Sequence, residues 1–291
     1  MSWTEITRRQ YRRDALRYAS DLTDGEWQMI APNLPPARLL GRPRATDLRE
    51  ALNAMLYVLA TGCRWRPLPT DFPPYTTVQR FFCGWRDDGT WRRINHHSLL
   101  AAREAAGREA SPSAGVIDSQ SVKTTEAGGP RGCAAGKKVE GRKRHILTDT
   151  NGLLVAASVH GADIQDRDGA APLLASIRHA FPWLRHVFAD GGYAGAKLQT
   201  SLAALGRWTL EIVKRSDVAK GFVLLPRRWL VERTLAWLNR NRRLAQDFDA
   251  LAETATAWLM PASVKLLSRS WQEDNQLMGY RAGLLYISYE K

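Results

Sequence analysis

The stretch HILTDTNGLLVAASV (residues 145–159) contains a strong hairpin signal. Two runs of apolar and β-branched residues flank the dipeptide Asn151-Gly152, which favours a tight type I′ turn between paired strands. The stretch therefore predicts an antiparallel hairpin with strands at 145–150 and 153–159.

Strands and helices alternate on both sides of this hairpin. The short apolar run GVID (115–118) predicts a strand before it. After it, apolar spacing predicts a helix, a strand, a helix, a strand and a long helix, at 168–180, 186–189, 194–205, 209–213 and 227–245. A sheet that starts with a hairpin and gains further strands through helical crossovers is mixed. We therefore expect an α/β fold in which helices cover a mixed sheet.

The first third of the chain is predicted to be all-helical. Thr23 and Glu26 have the spacing of a capping box. Residues 46–47 supply the cap of a longer amphipathic helix that Gly62 ends, and two more helices are expected within 76–103. Short helices joined by basic turns favour a helix-turn-helix DNA-binding unit, with the segment 75–86 as the helix that reads the groove. The alternative is a small helical packing or dimerisation domain.

A change in composition divides the chain into two parts. The small, polar stretch GREASPSAG (107–115) is typical of a domain boundary. We expect a helical DNA-binding domain at 1–107 and a second domain with the mixed sheet from residue 108 onward.

The net charge points to a polyanionic partner. The 291 residues carry a formal charge of +13, with 42 basic against 29 acidic side chains. Arginine outnumbers lysine 33 to 9, and the planar guanidinium suits bidentate phosphate contact. Nucleic acid is the commonest such partner, whereas the alternative is a basic protein without one.

Other sequence features narrow the class of protein. The three cysteines form no CxxC pair, which argues against a disulfide scaffold and a cysteine zinc site. The longest apolar run, 51–60, is too short to span a bilayer, and the first residues lack the layout of a signal peptide. We expect a cytoplasmic protein without a membrane partner, associated with the nucleoid when bound to DNA.

Three acids are candidates for catalysis. Asp118 and Asp190 each follow a short apolar strand, a usual place for an active site in such sheets, although a turn-forming or helix-capping role is the alternative. Glu232 lies at the centre of a polar, basic face of the predicted helix 227–245, where an ordinary Glu–Arg surface pair is the alternative.

Together these acids suit metal-dependent phosphodiester chemistry. In-line displacement at phosphorus needs neutralisation of charge on the attacking and leaving oxygens, which two divalent ions about 3.5–4 Å apart supply. Oxygen-only ligands favour Mg²⁺ or Mn²⁺ over zinc. The prediction is two Mg²⁺ or Mn²⁺ ions held by Asp118, Asp190 and Glu232.

Basic side chains flank the acids and the helical segment. A solvated charged face is the alternative, but these runs bracket an acidic site that would otherwise repel DNA. The residues predicted to contact DNA are Arg42, Arg44, Gln79, Arg80, Arg86, Lys137, Lys138, Arg142, Lys143, Arg144, Arg228, Arg240 and Arg243.

The sequence resembles the bacterial DDE transposases of the insertion sequence five family, within the insertion-sequence-four-like superfamily. The motifs that carry the resemblance are LTDGEW (22–27), GRPR (41–44), LREALNAMLYVLATGCRWRPLPTDFPPYTTV (48–78), VIDSQSVK (116–123), GKKVEGRKRHILTDTNGLL (136–154), FADGGYAG (188–195) and WLVERTLAWLNRNRRL (229–244). In the superfamily's pattern around the glutamate, Arg228 and Glu232 match, whereas Leu225 and Asn239 stand in the Tyr and Lys places.

The resemblance implies a ribonuclease-H-like catalytic domain at 108–268, an N-terminal DNA-binding region and a metal-binding triad of Asp118, Asp190 and Glu232. The segment 269–291 does not resemble the family's C-terminal end, so we expect a divergent tail there. It also implies cleavage and strand transfer at inverted-repeat ends in double-stranded DNA, followed by joining to target DNA. Synapsis of two ends favours a homodimer or a larger assembly on DNA. Two alternatives stay open: a ribonuclease-H-like nuclease without strand transfer, and a DNA-binding regulator or domesticated transposase that no longer cuts.

Overall fold

The computed structural model describes residues 13, 15–37, 43–126, 128–134, 138–213 and 228–289, except for the side chains of residues 228 and 273–289. The N-terminal part is helical, as predicted. Its helices are α1 (Asp24–Ile30), α2 (Leu48–Thr61), α3 (Tyr75–Asp87) and α4 (Thr90–Ala105). The capping box is present, since Thr23 accepts from the backbone N–H of Glu26, whose carboxylate accepts from that of Thr23.

The remainder combines strands and helices. In chain order these are β1 (Ala114–Lys123), β2 (Gly132–Ala134), β3 (Val139–Asp149), β4 (Leu154–Gly161), α5 (Asp166–Ile177), β5 (His186–Ala189), α6 (Ala196–Leu205), β6 (Thr209–Ile212), α7 (Arg228–Asn239) and α8 (Ala252–Tyr289). The strands form one sheet in the order β2-β3-β1-β5-β6, and β4 also pairs with β3. β3 is antiparallel to its neighbours, whereas β1, β5 and β6 are parallel, so the predicted mixed sheet is confirmed.

The hairpin between β3 and β4 forms, but its turn differs from the predicted type I′. A type I′ turn needs a positive φ at both central residues. Gly152 has φ 84°, whereas Asn151 is not among the described residues with a positive φ. Gly152 N donates to the carbonyl of Asp149, and the Asp149 carboxylate accepts from the backbone N–H groups of Asn151 and Leu153. This carboxylate stabilises a longer connection in which only glycine takes the left-handed conformation.

Gly152 provides a first test of the fold. Gly152 has a left-handed backbone conformation that residues with a side chain rarely adopt. In addition, a Cβ at this position would lie 2.9 Å from Thr234 Oγ1. We expect Gly152→Ala to lower the free energy of unfolding by about 1–3 kcal/mol, as measured by denaturant titration. The matched control is Gly84→Ala in α3, where a Cβ meets nothing within 4 Å and helix propensity favours alanine. Equal stability of the Gly152→Ala variant and the unmodified chain would contradict the described turn.

Both faces of the sheet are buried. Side chains alternate along a strand, so Val116 belongs to one apolar core and its neighbour Ile117 to the other. The first core contains Leu235 and Leu238 of α7 together with apolar residues of the N-terminal helices. The second contains residues of α5 and α6, such as Leu173. The sheet therefore separates an α7 face from an α5 face.

An aromatic cluster joins the N-terminal helices to α8. Trp258 of α8 stacks on Phe82 of α3, with ring centroids 4.2 Å apart, and on Trp65, at 5.4 Å. Trp91 of α4 packs against Phe82 from another side. The position of the helical part relative to the sheet is thus fixed by buried, large side chains. None of the helices in the part of the chain that the structure describes combines the length and the apolar character needed to cross a membrane.

The helix that carries Glu232 is shorter than predicted. α7 ends at Asn239, and a separate 3₁₀ turn follows at Arg242–Leu244. The predicted bounds 227–245, which included Arg243 in the helix of Glu232, are therefore wrong at the C-terminal end. Arg243 lies beyond the helix end, where its guanidinium donates to Asp249 Oδ1 at 2.7 Å.

Candidate active site

The strand register brings Asp118 and Asp190 to the same level of the sheet. In the parallel β1–β5 pair, Val116 is the partner of Phe188. Two residues further along each strand direction stand Asp118, within β1, and Asp190, directly after β5. Neighbouring strands lie about 4.8 Å apart, so the two carboxylates project from adjacent backbones.

Both aspartates face α7. Residues two apart on a strand share a face, so Asp118 lies on the face of Val116 and Asp190 continues the face of Phe188. Val116 and Phe188 belong to the core that contains the apolar side of α7. The pair therefore lies just beyond the end of the β1–β5 pairing, on the side of the sheet that this helix covers.

Backbone amides orient each carboxylate. Asp118 Oδ1 accepts from the backbone N–H of Ser119 at 2.7 Å. Asp190 Oδ1 accepts from Gly192 N at 2.8 Å and begins the 3₁₀ turn Gly191–Tyr193. The turn-capping role considered for Asp190 is thus real, but a carboxylate has a second oxygen with which it can bind a ligand.

Two contacts made by residues that follow Glu232 position α7. Asn239 Nδ2 donates to Gln120 Oε1 at 3.1 Å, and Gln120 shares the β1 face of Asp118. In the middle of the helix, Thr234 Oγ1 donates to the carbonyl of Gly152 at 2.5 Å. Glu232 is exposed and lies seven residues before Asn239, hence on nearly the same helix face. The helix thus carries Glu232 along the flank of the aspartate pair.

The three acids do not form a finished metal cage. Among the described residues, no group of three or more His, Cys, Asp or Glu side chains is arranged to hold a metal ion. The fold itself brings together Asp118 and Asp190, while Glu232 stands on the neighbouring helix. The donor set consists of carboxylate oxygens, which fits a hard divalent cation such as Mg²⁺ or Mn²⁺.

A buried tyrosine lies beside the aspartates. Tyr193 has 0% exposure, and its hydroxyl interacts with the Ser119 side chain. Burial raises the pKa of Tyr193 well above its usual value, and the charges of Asp118, Asp166 and Asp190 raise it further. Tyr193 is therefore a neutral donor close to three carboxylates.

Asp166, the first residue of α5, is an acid of this region that the sequence analysis missed. Its Oδ1 accepts from Ser119 Oγ at 2.6 Å, lies 2.9 Å from Lys143 Nζ and lies 3.5 Å from His145 Nε2. Burial acts to raise the pKa of Asp166, but the hydrogen bonds from His145, Ser119 and Lys143 outweigh it and hold the pKa far below its usual range. No motif marks this residue, because its partners come from distant strands.

The basic run in β3 is buried, so the expected DNA contacts there are corrected. Arg142 has 0% exposure, Arg144 2% and Lys143 7%. Arg142 pairs with Asp247 at 3.0 Å, and Lys143 donates to the carbonyl of Ile164. These side chains have no surface to offer to phosphate, because they bind neighbouring segments of the chain instead.

Arg144 links this strand to the end of α7. It donates to the carbonyl of Leu244 at 2.6 Å and lies 3.3 Å from Asn239 Oδ1. Burial lowers the pKa of Arg144 to about 10. Its guanidinium therefore fixes the helix that carries Glu232 rather than a DNA strand.

Arg243, another residue predicted to contact DNA, is also buried. It is 9% exposed, pairs with Asp249 and lies over the ring of Trp258. Arg86 is partly buried and binds Asp87 and Thr254.

The other predicted DNA contacts differ in exposure. Gln79 is partly buried, whereas the exposed residues are Arg44, Arg80, Lys138 and Arg240. Arg42, Lys137 and the side chain of Arg228 lie outside the described part of the structure.

Two family models match the chain. The model described as "Transposase DDE domain" matches residues 109–263, and the model described as "Putative transposase of IS4/5 family" matches residues 22–95. The first match contains Asp118, Asp190 and Glu232 and covers more than half of the chain.

Curated relatives agree with these matches. The chain is 35% identical over 126 residues to the "Putative transposase for insertion sequence element IS402" of Burkholderia cepacia, a match that covers 41% of this chain and 59% of that protein. It is 34% identical over 117 residues to the "Insertion element IS402 uncharacterized 16.2 kDa protein" of the same organism, covering 38% of this chain and 78% of the relative.

The match to the first relative thus extends over about three fifths of that protein's length. No solved structure matches the chain. Since the domain model spans the sheet and all three candidate acids, the chain belongs to the DDE transposase family, of the IS4/5 insertion-element type.

Proposed function

We propose that the protein is a DNA transposase that binds the terminal inverted repeats of an insertion sequence and catalyses cleavage and strand transfer. Membership in the family implies a DNA substrate and a dependence on divalent metal in general. The observation that carries the proposal is the parallel register that sets Asp118 beside Asp190 on the face covered by α7.

The proposed metal site consists of Asp118, Asp190 and Glu232. These carboxylates would hold two Mg²⁺ or Mn²⁺ ions, which when bound neutralise charge on the reacting phosphate oxygens. The chain's own contribution is orientation: backbone amides fix the two aspartates, and Asn239 fixes the helix of Glu232 against β1.

The remaining assignments are inferences of the same proposal. The sheet with its helices is the ribonuclease-H-like catalytic domain, 108–268, and the helical part, 1–107, is the helix-turn-helix-like DNA-binding domain, with residues 269–291 as a tail. The substrate is double-stranded DNA, first the repeat ends and then a target. Two ends must be held together, so the protein acts as a homodimer or a larger assembly at the nucleoid.

The test is an assay with the full chain, Mg²⁺ and a DNA fragment that carries the element's terminal repeats. The expected result is cleavage at the repeat ends and joining of those ends to a second DNA molecule. Cleavage without joining would favour a ribonuclease-H-like nuclease instead. Binding without Mg²⁺-dependent cleavage would favour a regulator.

Exposed arginines outside the acidic site should contribute to DNA binding in a salt-dependent manner. Arg80 and Arg240 are exposed, and each phosphate contact adds about 0.9 to the slope of log K against log salt concentration. We expect Arg80→Ala and Arg240→Ala each to reduce that slope by about one contact, as measured by fluorescence anisotropy across a salt series. The control is Arg178→Ala, an exposed arginine at the end of α5. An unchanged slope for both test variants would contradict the proposed contacts.

A further inference from the structure

Asp166 lies on the opposite side of the sheet from α7, yet it contacts segments that carry both metal-site aspartates. Ser119, whose hydroxyl donates to Asp166 Oδ1 at 2.6 Å, directly follows Asp118 on β1. A residue next to Asp118 is thus tied to the first residue of α5. Since consecutive strand residues face opposite sides, Ser119 meets Asp166 on the side of the sheet opposite to the Asp118 side chain.

The second contact is with the turn that orients Asp190. A Cβ at Gly192 would lie 3.0 Å from Asp190 Oδ1 and 3.2 Å from Asp166 Oδ2. Gly192 also supplies the N–H that Asp190 accepts. Because Gly192 has no side chain, the carboxylates of Asp166 and Asp190 can both lie close to its backbone.

Buried partners fix the position of Asp166 itself. Lys143 Nζ lies 2.9 Å from Asp166 Oδ1 and donates to the carbonyl of Ile164, and its side chain is 8% exposed. The ring of His145, fully buried, approaches the same oxygen at 3.5 Å. A carboxylate with these donors is held in one orientation and transmits that orientation to its neighbours.

The Tyr193 hydroxyl belongs to the same buried group. It is fully buried near Asp118, Asp166 and Asp190, and it interacts with the Ser119 side chain. Ser119 therefore connects this hydroxyl to Asp166.

We propose that Asp166 is a positioning residue of the metal site: through Ser119 and the Gly192 turn, it fixes Asp118 and Asp190 relative to each other before metal binds. This inference rests on the proposed function, because it assumes that the two aspartates are metal ligands. Asp166 is not itself assigned as a ligand. Its effect on the metal is indirect, through the orientation of the two aspartates.

The experiment measures binding of Mn²⁺ alone to the full chain, without DNA, from the electron paramagnetic resonance signal of free Mn²⁺. The variants are Asp166→Ala, Asp166→Asn, which retains an acceptor oxygen for Ser119, and Ser119→Ala, which removes only the hydroxyl. The matched control is Asp168→Asn, in the same first turn of α5 but paired with Lys197 at 2.7 Å. Circular dichroism melting shows which variants fold.

We expect Asp166→Ala to weaken Mn²⁺ binding by about ten- to a hundredfold, as for other residues that orient metal ligands. Asp166→Asn should recover most of this loss, Ser119→Ala should weaken binding in the same direction, and Asp168→Asn should match the unmodified chain. A merely structural role predicts lower melting temperatures with unchanged Mn²⁺ affinity.

If a folded Asp166→Ala variant binds Mn²⁺ with the same affinity as the unmodified chain, the inference is overturned. If that variant does not fold, the same result for the Ser119→Ala variant overturns it instead. The Asp118→Ala variant separates this result from failure of the proposed function. If the unmodified chain binds Mn²⁺ no better than Asp118→Ala does, the metal-site proposal itself fails and the inference falls with it.

Discussion

Replacement of Asp118 or Asp190 by alanine is expected to lower the rate of DNA cleavage by about 10³-fold. Each substitution removes a carboxylate from the pair that the β1–β5 register brings together. Metal-based stabilisation of charge in the transition state is worth several kcal/mol, and every 1.36 kcal/mol changes a rate by about tenfold. Loss of one ligand is therefore expected to dominate the kinetics.

The measurement is single-turnover cleavage of a terminal-repeat fragment at saturating protein, so that weaker DNA binding does not obscure the effect. Asp168→Asn is a suitable control because its carboxylate pairs with Lys197 rather than facing the aspartate pair. Cleavage by either alanine variant at the unmodified rate would remove that aspartate from the site.

Replacement of Arg142 by alanine is expected to destabilise the fold by about 3–5 kcal/mol, the usual cost of leaving one partner of a buried ion pair alone. Arg142 and Asp247 are both fully buried, and their closest atoms lie 3.0 Å apart. Arg142 also donates to the carbonyls of Asp249 and Ala250, so the substitution orphans several acceptors. The free energy of unfolding from denaturant titration measures the loss.

Two controls separate burial from charge. The double variant Arg142→Met with Asp247→Leu replaces the pair by apolar residues and is expected to be more stable than the Arg142→Ala variant. Arg240→Ala removes an exposed arginine and is expected to change stability by no more than about 0.5 kcal/mol. A stable Arg142→Ala variant with weakened DNA binding would restore the original expectation that this side chain faces DNA.

Local signals in the sequence were sufficient for much of the fold. Thr23 and Glu26 form the predicted capping box, and Gly62 ends α2 with φ 71°, as a left-handed residue at a helix end should. The strand that ends in Ala189 has the predicted bounds. Each of these features depends on neighbours in the chain, which is why pattern alone predicts it.

Features that depend on distant partners were not predictable in this way. The run 142–144 has the sequence pattern of a solvated basic surface. In the structure, however, Arg142 and Arg144 bind acceptors that lie about 100 residues further along the chain. The long helix α8 was not predicted, because its apolar residues do not form a single stripe. The positions of basic residues in the sequence therefore give the net charge, but they do not predict which of these side chains are exposed.

The candidate site also has features that the sequence predicts and features that it does not. The apolar runs before Asp118 and Asp190 were visible in the sequence, but Asp118 lies within β1 and not after it, because the strand continues to Lys123. The common level of the two acids follows from the register of two strands some 70 residues apart. Asp166 was missed because its role depends on Ser119, Lys143 and His145, which come from two other strands. Neither relationship leaves a periodic signal in the chain.

Anomalous diffraction from crystals of the protein soaked with Mn²⁺ and bound to a cleaved repeat end would locate the metal ions. We expect anomalous peaks within about 2–2.5 Å of carboxylate oxygens of Asp118 and Asp190, with Glu232 completing the coordination. Peaks that avoid both aspartates, or Glu232 turned away from an ion bound by them, would contradict the assignment of these three acids to one site.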